Sequence, residues 1–273
     1  MTKKSAFRAP FRASLVRVSG VSDDVANVPP AQPGAIEGVR RVSPLERLGA
    51  GAEVVLCSGF PTQLFLLAVM TSFGMRLYTA EGHWSPVFVT VLSLLDTALV
   101  IGLILLFLTS RGERPRDVLL GQRPVLREAF LGAALLPVVF LLAVGVLKII
   151  PLVAPELHNV PRNPLEDMMQ NRRDAMIFGI VAVIAGGVRE EVQRGFILHR
   201  FDQYLGGGAF GILIYSVVFG LGHVDQGWDA TIAVATLGAI WGTIYLIRRS
   251  IIAPMVSHAG FNLAQVINFL AFR

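Results

Sequence analysis

The sequence predicts an all-α fold, a polytopic transmembrane helical bundle of about seven spans, on three observations. The 273 residues are 53% hydrophobic and only 16% charged, whereas soluble domains carry about 25% charge. Several stretches of roughly 18 or more residues are almost free of charge, a length that matches a hydrocarbon core of ~30 Å. Those stretches are continuous runs of Leu, Ala and Val, not short alternating segments. A lipid-buried backbone must satisfy its own hydrogen bonds, and runs of this kind do so as helices, not as a barrel.

Residues 1–50 read as a basic, disordered cytosolic tail. Its first 20 residues hold Lys3, Lys4, Arg8, Arg12 and Arg17 and no acid, with Phe7, Phe11 and Leu15 spaced four apart. A membrane-surface segment or a transit peptide would share that pattern, but Pro10 interrupts it and Pro29, Pro30 and Pro33 follow. No cleavable signal peptide is expected, because about 50 polar residues precede the first apolar run.

Three N-terminal helices and their loops are expected in 51–173. The first span covers about 54–75, with a kink at Pro61, the second about 86–109 and the third about 128–150. Between the last two lies a basic loop with Arg111, Arg114, Arg116, Arg123 and Arg127. A Pro-rich loop of mixed charge runs from Pro151 to Arg173. The remainder, 174–273, reads as a transmembrane core of four helices. The first of these starts near Asp174 and continues to Leu205, where Gly206-Gly207-Gly208 breaks it. The next ends near His223, and the last two cover about 229–247 and 251–271. With seven alternating spans the tail, the 111–127 loop, Arg200 and Arg248/Arg249 share one side, cytosolic by the positive-inside rule. Arg162, Arg172 and Arg173 fall on the other side.

The net charge of +5 and pI near 9.9 belong to these topology-setting residues, and nucleic acid is not an expected partner. Cys57 is the only cysteine, which excludes an intrachain disulfide and a cysteine-based metal cluster.

Ionisable residues within membrane helices are costly and therefore candidates for function. Glu190, Glu191 and Arg194 end an apolar helix; Glu190 and Arg194, four apart, share a face and are able to pair. An interfacial salt-bridge patch would account for them equally well. The turn at Gly207 lies 17 residues after Glu190 and 16 before His223. Antiparallel helices joined there bring both to one depth, roughly 24 Å from the turn. His258 and Asn262, again four apart, lie inside the last span. Interhelical hydrogen bonding is the plainer use of each. Three polar insertions at compatible depths favour one shared site. Asp96 in the second span is expected to bond a neighbouring helix, Lys148 to snorkel, and His83, His158 and His199 to be solvated. Asp225, Trp228 and Asp229 flank His223 and would shape the site's mouth.

Glu190-Glu191…Arg194-Gly195, Phe219-Gly220-Leu221-Gly222-His223 and His258-Ala259-Gly260-Phe261-Asn262 resemble the three signature motifs of the CPBP family. That family groups type II CAAX prenyl endopeptidases and bacteriocin-processing proteins, which are glutamic intramembrane proteases. The resemblance covers about 174–271; the first three spans and the tail carry none. It implies an intramembrane endopeptidase acting without a cofactor on a membrane-embedded or lipid-anchored peptide. One glutamate with His223 would activate water, His258 and Asn262 would polarise the scissile carbonyl and hold the oxyanion, and Arg194 would orient the carboxylates. Hydrolysis of a peptide needs these parts: a base for water and donors for the tetrahedral oxyanion.

One departure bears on the base. The family has three residues between its glutamate pair and its arginine, and here Val192 and Gln193 are the only two. Alignment on Arg194 puts Arg189 and Glu190 where the glutamates belong; alignment on the glutamates requires a one-residue deletion. The depth match to His223 favours Glu190, with Glu191 next. A zinc enzyme using two histidines and a glutamate is an alternative, although no His-Glu-x-x-His helix is present. A non-catalytic scaffold that has lost activity is another. Three lysines against twenty-one arginines suggest a GC-rich bacterial genome, hence an inner-membrane location and a substrate without a prenyl group.

Overall fold

The computed structural model describes residues 42–272, and the charged and aromatic residues singled out in the first 20 positions lie outside them. All regular elements among the described residues are helical, apart from one isolated bridge between Tyr78 and Trp84. The helices are α1 (Pro44–Leu56), α2 (Phe60–Ser72), α3 (Pro86–Ser110), α4 (Pro115–Leu119), α5 (Val125–Val153), α6 (Arg172–Val181), α7 (Glu190–Tyr204), α8 (Gly208–Leu221), α9 (Trp228–Arg248) and α10 (Ile252–Phe272). A wide π-helical segment, Ala182–Arg189, joins α6 to α7 without a break.

Local chemistry sets the helix starts. Ser43 and Glu46 form a reciprocal cap on α1, which begins at Pro44, inside the stretch assigned to the tail. Ser85 and Asn171 accept from the exposed amides of α3 and α6. The expected first span is two helices bent by 44°. The break falls at Gly59, with Pro61 seated in the first turn of α2, where a missing N–H costs nothing. Gly206 and Gly207 both sit at φ 100°, a conformation that favours glycine, and they reverse the chain between α7 and α8 as the triple glycine implied.

By length and composition α3, α5 and α9 are able to cross a membrane, and the bent α1–α2 pair makes a fourth. A count of seven is not established on that criterion. The remaining candidates are diluted by polar residues or short: α10 carries His258, Asn262, Gln265 and Asn268, and α8 has 14 residues. Of those polar residues, His258 is buried and Asn262 half-buried, whereas Gln265 and Asn268 are exposed. Leu, Phe and Ile side chains cover the outside of α3 and α5, as a lipid-facing surface requires.

The core joins the N-terminal helices to α7–α9. Val100, Ile104 and Leu108 of α3 pack on Phe196, Ile197, Leu198 and Phe201 of α7 and on Tyr215 and Tyr245. A second cluster sets Val139 and Ala143 of α5 against Leu237 and Trp241 of α9. The α10 helix threads between α5 and the π-helical segment.

Ion pairs fix the two ends of the bundle. At one end Arg200, fully buried, donates to Glu53 and Glu113 at 2.6 Å each. Arg111 also reaches Glu53 at 2.6 Å, and Arg249 reaches Asp202 at 2.7 Å. The arginine-rich loops read as lying on one side therefore do meet at one end. At the other end the 155–168 turns cover the start of α9: His158 bonds Asp229 at 2.6 Å and Asn159 accepts from the Trp228 amide. The three loop histidines expected to be solvated are each paired with a carboxylate, His83 with Asp167, His158 with Asp229 and His199 with Glu113.

Burial alone would raise the Glu113 carboxyl, but hydrogen bonds from His199 and Arg200 hold it below its ordinary value of 4.5. A carboxyl depressed in the folded state stabilises above its unfolded value, and that contribution fades as pH falls through the folded value. The destabilisation caused by Glu113→Gln, read by thermal unfolding in detergent, is thus expected at pH 7 and should shrink steadily below pH 4.5. Arg200→Ala strips one hydrogen bond from buried Glu53 and one from half-buried Glu113, leaving them Arg111 and His199, and is expected to cost about 1–3 kcal/mol in the same measurement.

Candidate active site

Buried carboxylates in a low dielectric need partners. Glu191, 1% exposed, takes two on a single oxygen: its Oε1 accepts from Arg194 Nη1, one turn on, and from His258 Nδ1 at 2.8 Å. Arg194 is wholly buried, and its guanidinium lies over the rings of Phe219, Trp241 and Tyr215 at 4.7, 5.5 and 5.6 Å. Cation–π contact replaces the hydrogen bonds that its Nε and Nη2 lack. The expectation that Arg194 pairs with Glu190 is corrected: the partner is Glu191, three residues away, and Glu190 turns to another side.

Glu190 is the more accessible carboxylate, its side chain 15% exposed. Its two oxygens are bracketed, Oε1 by Arg189 at 4.0 Å and Oε2 by His258 Nε2 at 3.9 Å. Both separations exceed a hydrogen bond, so Glu190 keeps acceptor capacity for another group. The imidazole of His258 is fixed at one nitrogen and on one face. Glu191 holds Nδ1, and Trp241 stacks on the ring at 3.9 Å and 17°, with its own Nε1 tied to Ser257 at 3.2 Å. With Nδ1–H given to a carboxylate, Nε2 bears a lone pair in the neutral ring and a proton only in the imidazolium.

His223 ends α8. Its Nδ1–H donates to the Phe219 carbonyl at 2.9 Å, which leaves Nε2 as the acceptor. The Phe219 ring contacts both imidazoles, His223 at 5.1 Å and His258 at 6.3 Å. The hairpin turn at Gly206–Gly207 therefore brings His223 into the neighbourhood of the glutamates, as the equal spacing implied. Asn262 donates to the Ala182 carbonyl at 3.3 Å, in the π-helical segment. Glycines make that approach possible: a Cβ at Gly186 would meet Asn262 Nδ2 at 2.5 Å and one at Gly187 would meet the Ala259 methyl at 2.6 Å.

Of the six residues read from the sequence, Glu190, Glu191, Arg194 and His258 are brought together by direct contacts, His223 adjoins them across the Phe219 ring, and Asn262 is bound to the π-helical segment one turn on from His258. Among the described residues no three of His, Cys, Asp and Glu are grouped to hold a metal ion, so the His₂Glu set of a zinc enzyme is not assembled. Trp241 was not anticipated, since a Trp on an apolar helix reads as core. Gln193, which donates to the Cys57 carbonyl at 2.6 Å, had no signal either.

Comparison with known proteins agrees with the motifs. Residues 172–264 match the family model described as type II CAAX prenyl endopeptidase Rce1-like, consistent with the CPBP family. No curated protein and no solved structure gave a significant match. The match spans α6 to α10 and leaves α1–α5 outside it.

The two glutamates should separate by stability. Glu191→Ala leaves Arg194 as a buried cation without an anion, and thermal unfolding is expected to register a loss of about 3–5 kcal/mol. Glu190→Gln breaks no hydrogen bond and is expected to cost less than about 1 kcal/mol.

Proposed function

We propose, from the family match across residues 172–264, that this chain is an intramembrane endopeptidase that hydrolyses a membrane-embedded or lipid-anchored peptide. Glu190 is its base. Water held between Glu190 and His223 Nε2 gives a proton to the Glu190 carboxylate as its oxygen adds to the scissile carbonyl. The oxyanion is held by the Asn262 amide together with His258. The Glu190 proton then passes to the leaving amine, and the C–N bond breaks. Glu191 and Arg194 do not react; they lock the His258 ring in place. The arginine-rich end of the bundle faces the cytosol.

The observation that carries this reading is the division of labour between adjacent glutamates. One is buried and accepts from Arg194 and His258 through a single oxygen; the other is more accessible and bracketed, with neither oxygen bonded. A purely structural salt-bridge patch has no use for the second. A prenyl group on the substrate is a property of the matched family by name, and a C-terminal sorting or anchor segment without one fits the same site.

Replacement of the base is expected to lower turnover by about 100-fold or more. The check is a comparison of membrane-peptide termini in cells carrying wild type, Glu190→Gln, Glu191→Gln or His223→Ala. An uncut peptide should accumulate with Glu190→Gln and His223→Ala. Unchanged termini in all the variants would sink the catalytic reading.

A further inference from the structure

Asp96 lies midway along α3, outside the matched segment, and is 1% exposed. A carboxylate there needs strong compensation. Thr62 Oγ1 donates to its Oδ1 at 2.5 Å and Gln63 Nε2 donates to Oδ2 at 3.3 Å, both from the first turn of α2. The third partner is a cation, Arg189 Nη2, 3.4 Å from Oδ2.

Arg189 is the residue before Glu190, and both of its terminal nitrogens have partners. Its Nη1 donates to Gln193 Oε1 at 3.0 Å, and Gln193 in turn is tied to the Cys57 carbonyl at the α1–α2 break. A side chain on Gly59 would meet Arg189 Nη1 at 3.3 Å, so the break leaves room for the guanidinium. The same Nη2 that faces Asp96 lies 4.0 Å from Glu190 Oε1. The chain of contacts therefore runs from the α1–α2 break and α3, through one guanidinium, to the carboxylate with unused acceptor capacity.

A helix-packing clamp would account for Asp96, Thr62 and Gln63. It does not account for the cation being shared with Glu190. The charged and titratable groups around Glu190 are Asp96 from α3, across Arg189, then Arg189, Glu191 and Arg194 on its own stretch of helix, Tyr215 from α8 and His258 from α10, with His223 beyond the Phe219 ring. Arg194 is committed to Glu191. Arg189 is thus the cation available to Glu190, and Asp96 decides where Arg189 sits.

We infer that Asp96 is a positioning residue of the site: by anchoring Arg189 it fixes the Glu190 carboxylate between Arg189 and His258. This rests on the proposed role of Glu190 as base. The helices outside the family match would then supply part of the site's support, not only a membrane anchor.

The test uses the full-length protein in detergent, labelled with a hydrophobic carbodiimide that traps loosely held carboxyls, with the modified residue located by mass spectrometry. Arg189→Gln is expected to speed labelling of Glu190 by about fivefold or more, with Glu191 unaffected, and Arg189→Lys to restore slow labelling. The double variant Asp96→Asn/Arg189→Gln leaves no buried ion alone, so it should fold, as thermal unfolding will show, and label like Arg189→Gln. In turnover, both variants should lose about tenfold to 100-fold in kcat with KM little changed. Slow labelling of Glu190 in both variants, or fast labelling in Arg189→Lys, overturns the inference. Full kcat in the double variant, or in Asp96→Asn with Arg189 left in place, overturns it while the protease reading stands. If wild type cleaves nothing yet the labelling pattern appears, the protease reading fails and the positioning stands.

Discussion

The structure depends on one buried carboxylate, Glu191, and on what it takes to keep it in a medium without water. Its Oε1 binds Arg194 and His258 at once. Each partner in turn demands support. Arg194 requires the aromatic rings of Tyr215, Phe219 and Trp241, and His258 requires the Trp241 face. Those rings come from α8 and α9, while His258 comes from α10. One ion pair therefore dictates that α7, α8, α9 and α10 converge. Burial makes the arrangement rigid, because losing any partner strands a charge in low dielectric.

The same convergence leaves Glu190 in a different state. It shares the helix turn with Glu191 but not its bonds, and it faces Arg189 and His258 across gaps longer than a hydrogen bond. The π-helical segment upstream contributes by bringing Gly186 and Gly187 flat against α10, so that Asn262 and Ala259 approach the helix backbone. π-helical turns inside α-helices are frequent at functional sites. A rigid donor set beside an uncommitted acceptor is the layout that hydrolysis of a carbonyl compound requires.

Much of this was legible in the residues, for physical reasons. Charge-free runs mark the lipid-facing helices α3, α5 and α9 because hydrocarbon tolerates little else. The hairpin placing His223 near the glutamates was readable because its turn is made by Gly206 and Gly207, which take the conformation the reversal needs. The i,i+4 spacing of His258 and Asn262 gave their common face. What stayed hidden depends on three-dimensional partners. The face on which Glu191 and Arg194 pair depends on how α7 sits in the bundle, and nothing in AVIAGGVR announces the wider turn before it. Trp241 looks like any core residue until His258 is seen stacked on it. The break at Gly59 was displaced by two residues toward Pro61, because proline is the stronger punctuation but is harmless in a first turn.

The central claim is that water activated beside Glu190 cuts a peptide bond within the membrane. It is tested most directly by reconstituting the purified chain in vesicles with the peptide left uncut by Glu190→Gln, in water enriched in oxygen-18. The account predicts a cleaved product carrying one heavy oxygen in its new C-terminal carboxylate with wild type, and none with Glu190→Gln. Cleavage by Glu190→Gln at the wild-type rate, or no cleavage by wild type of the peptide it clears in cells, would contradict it.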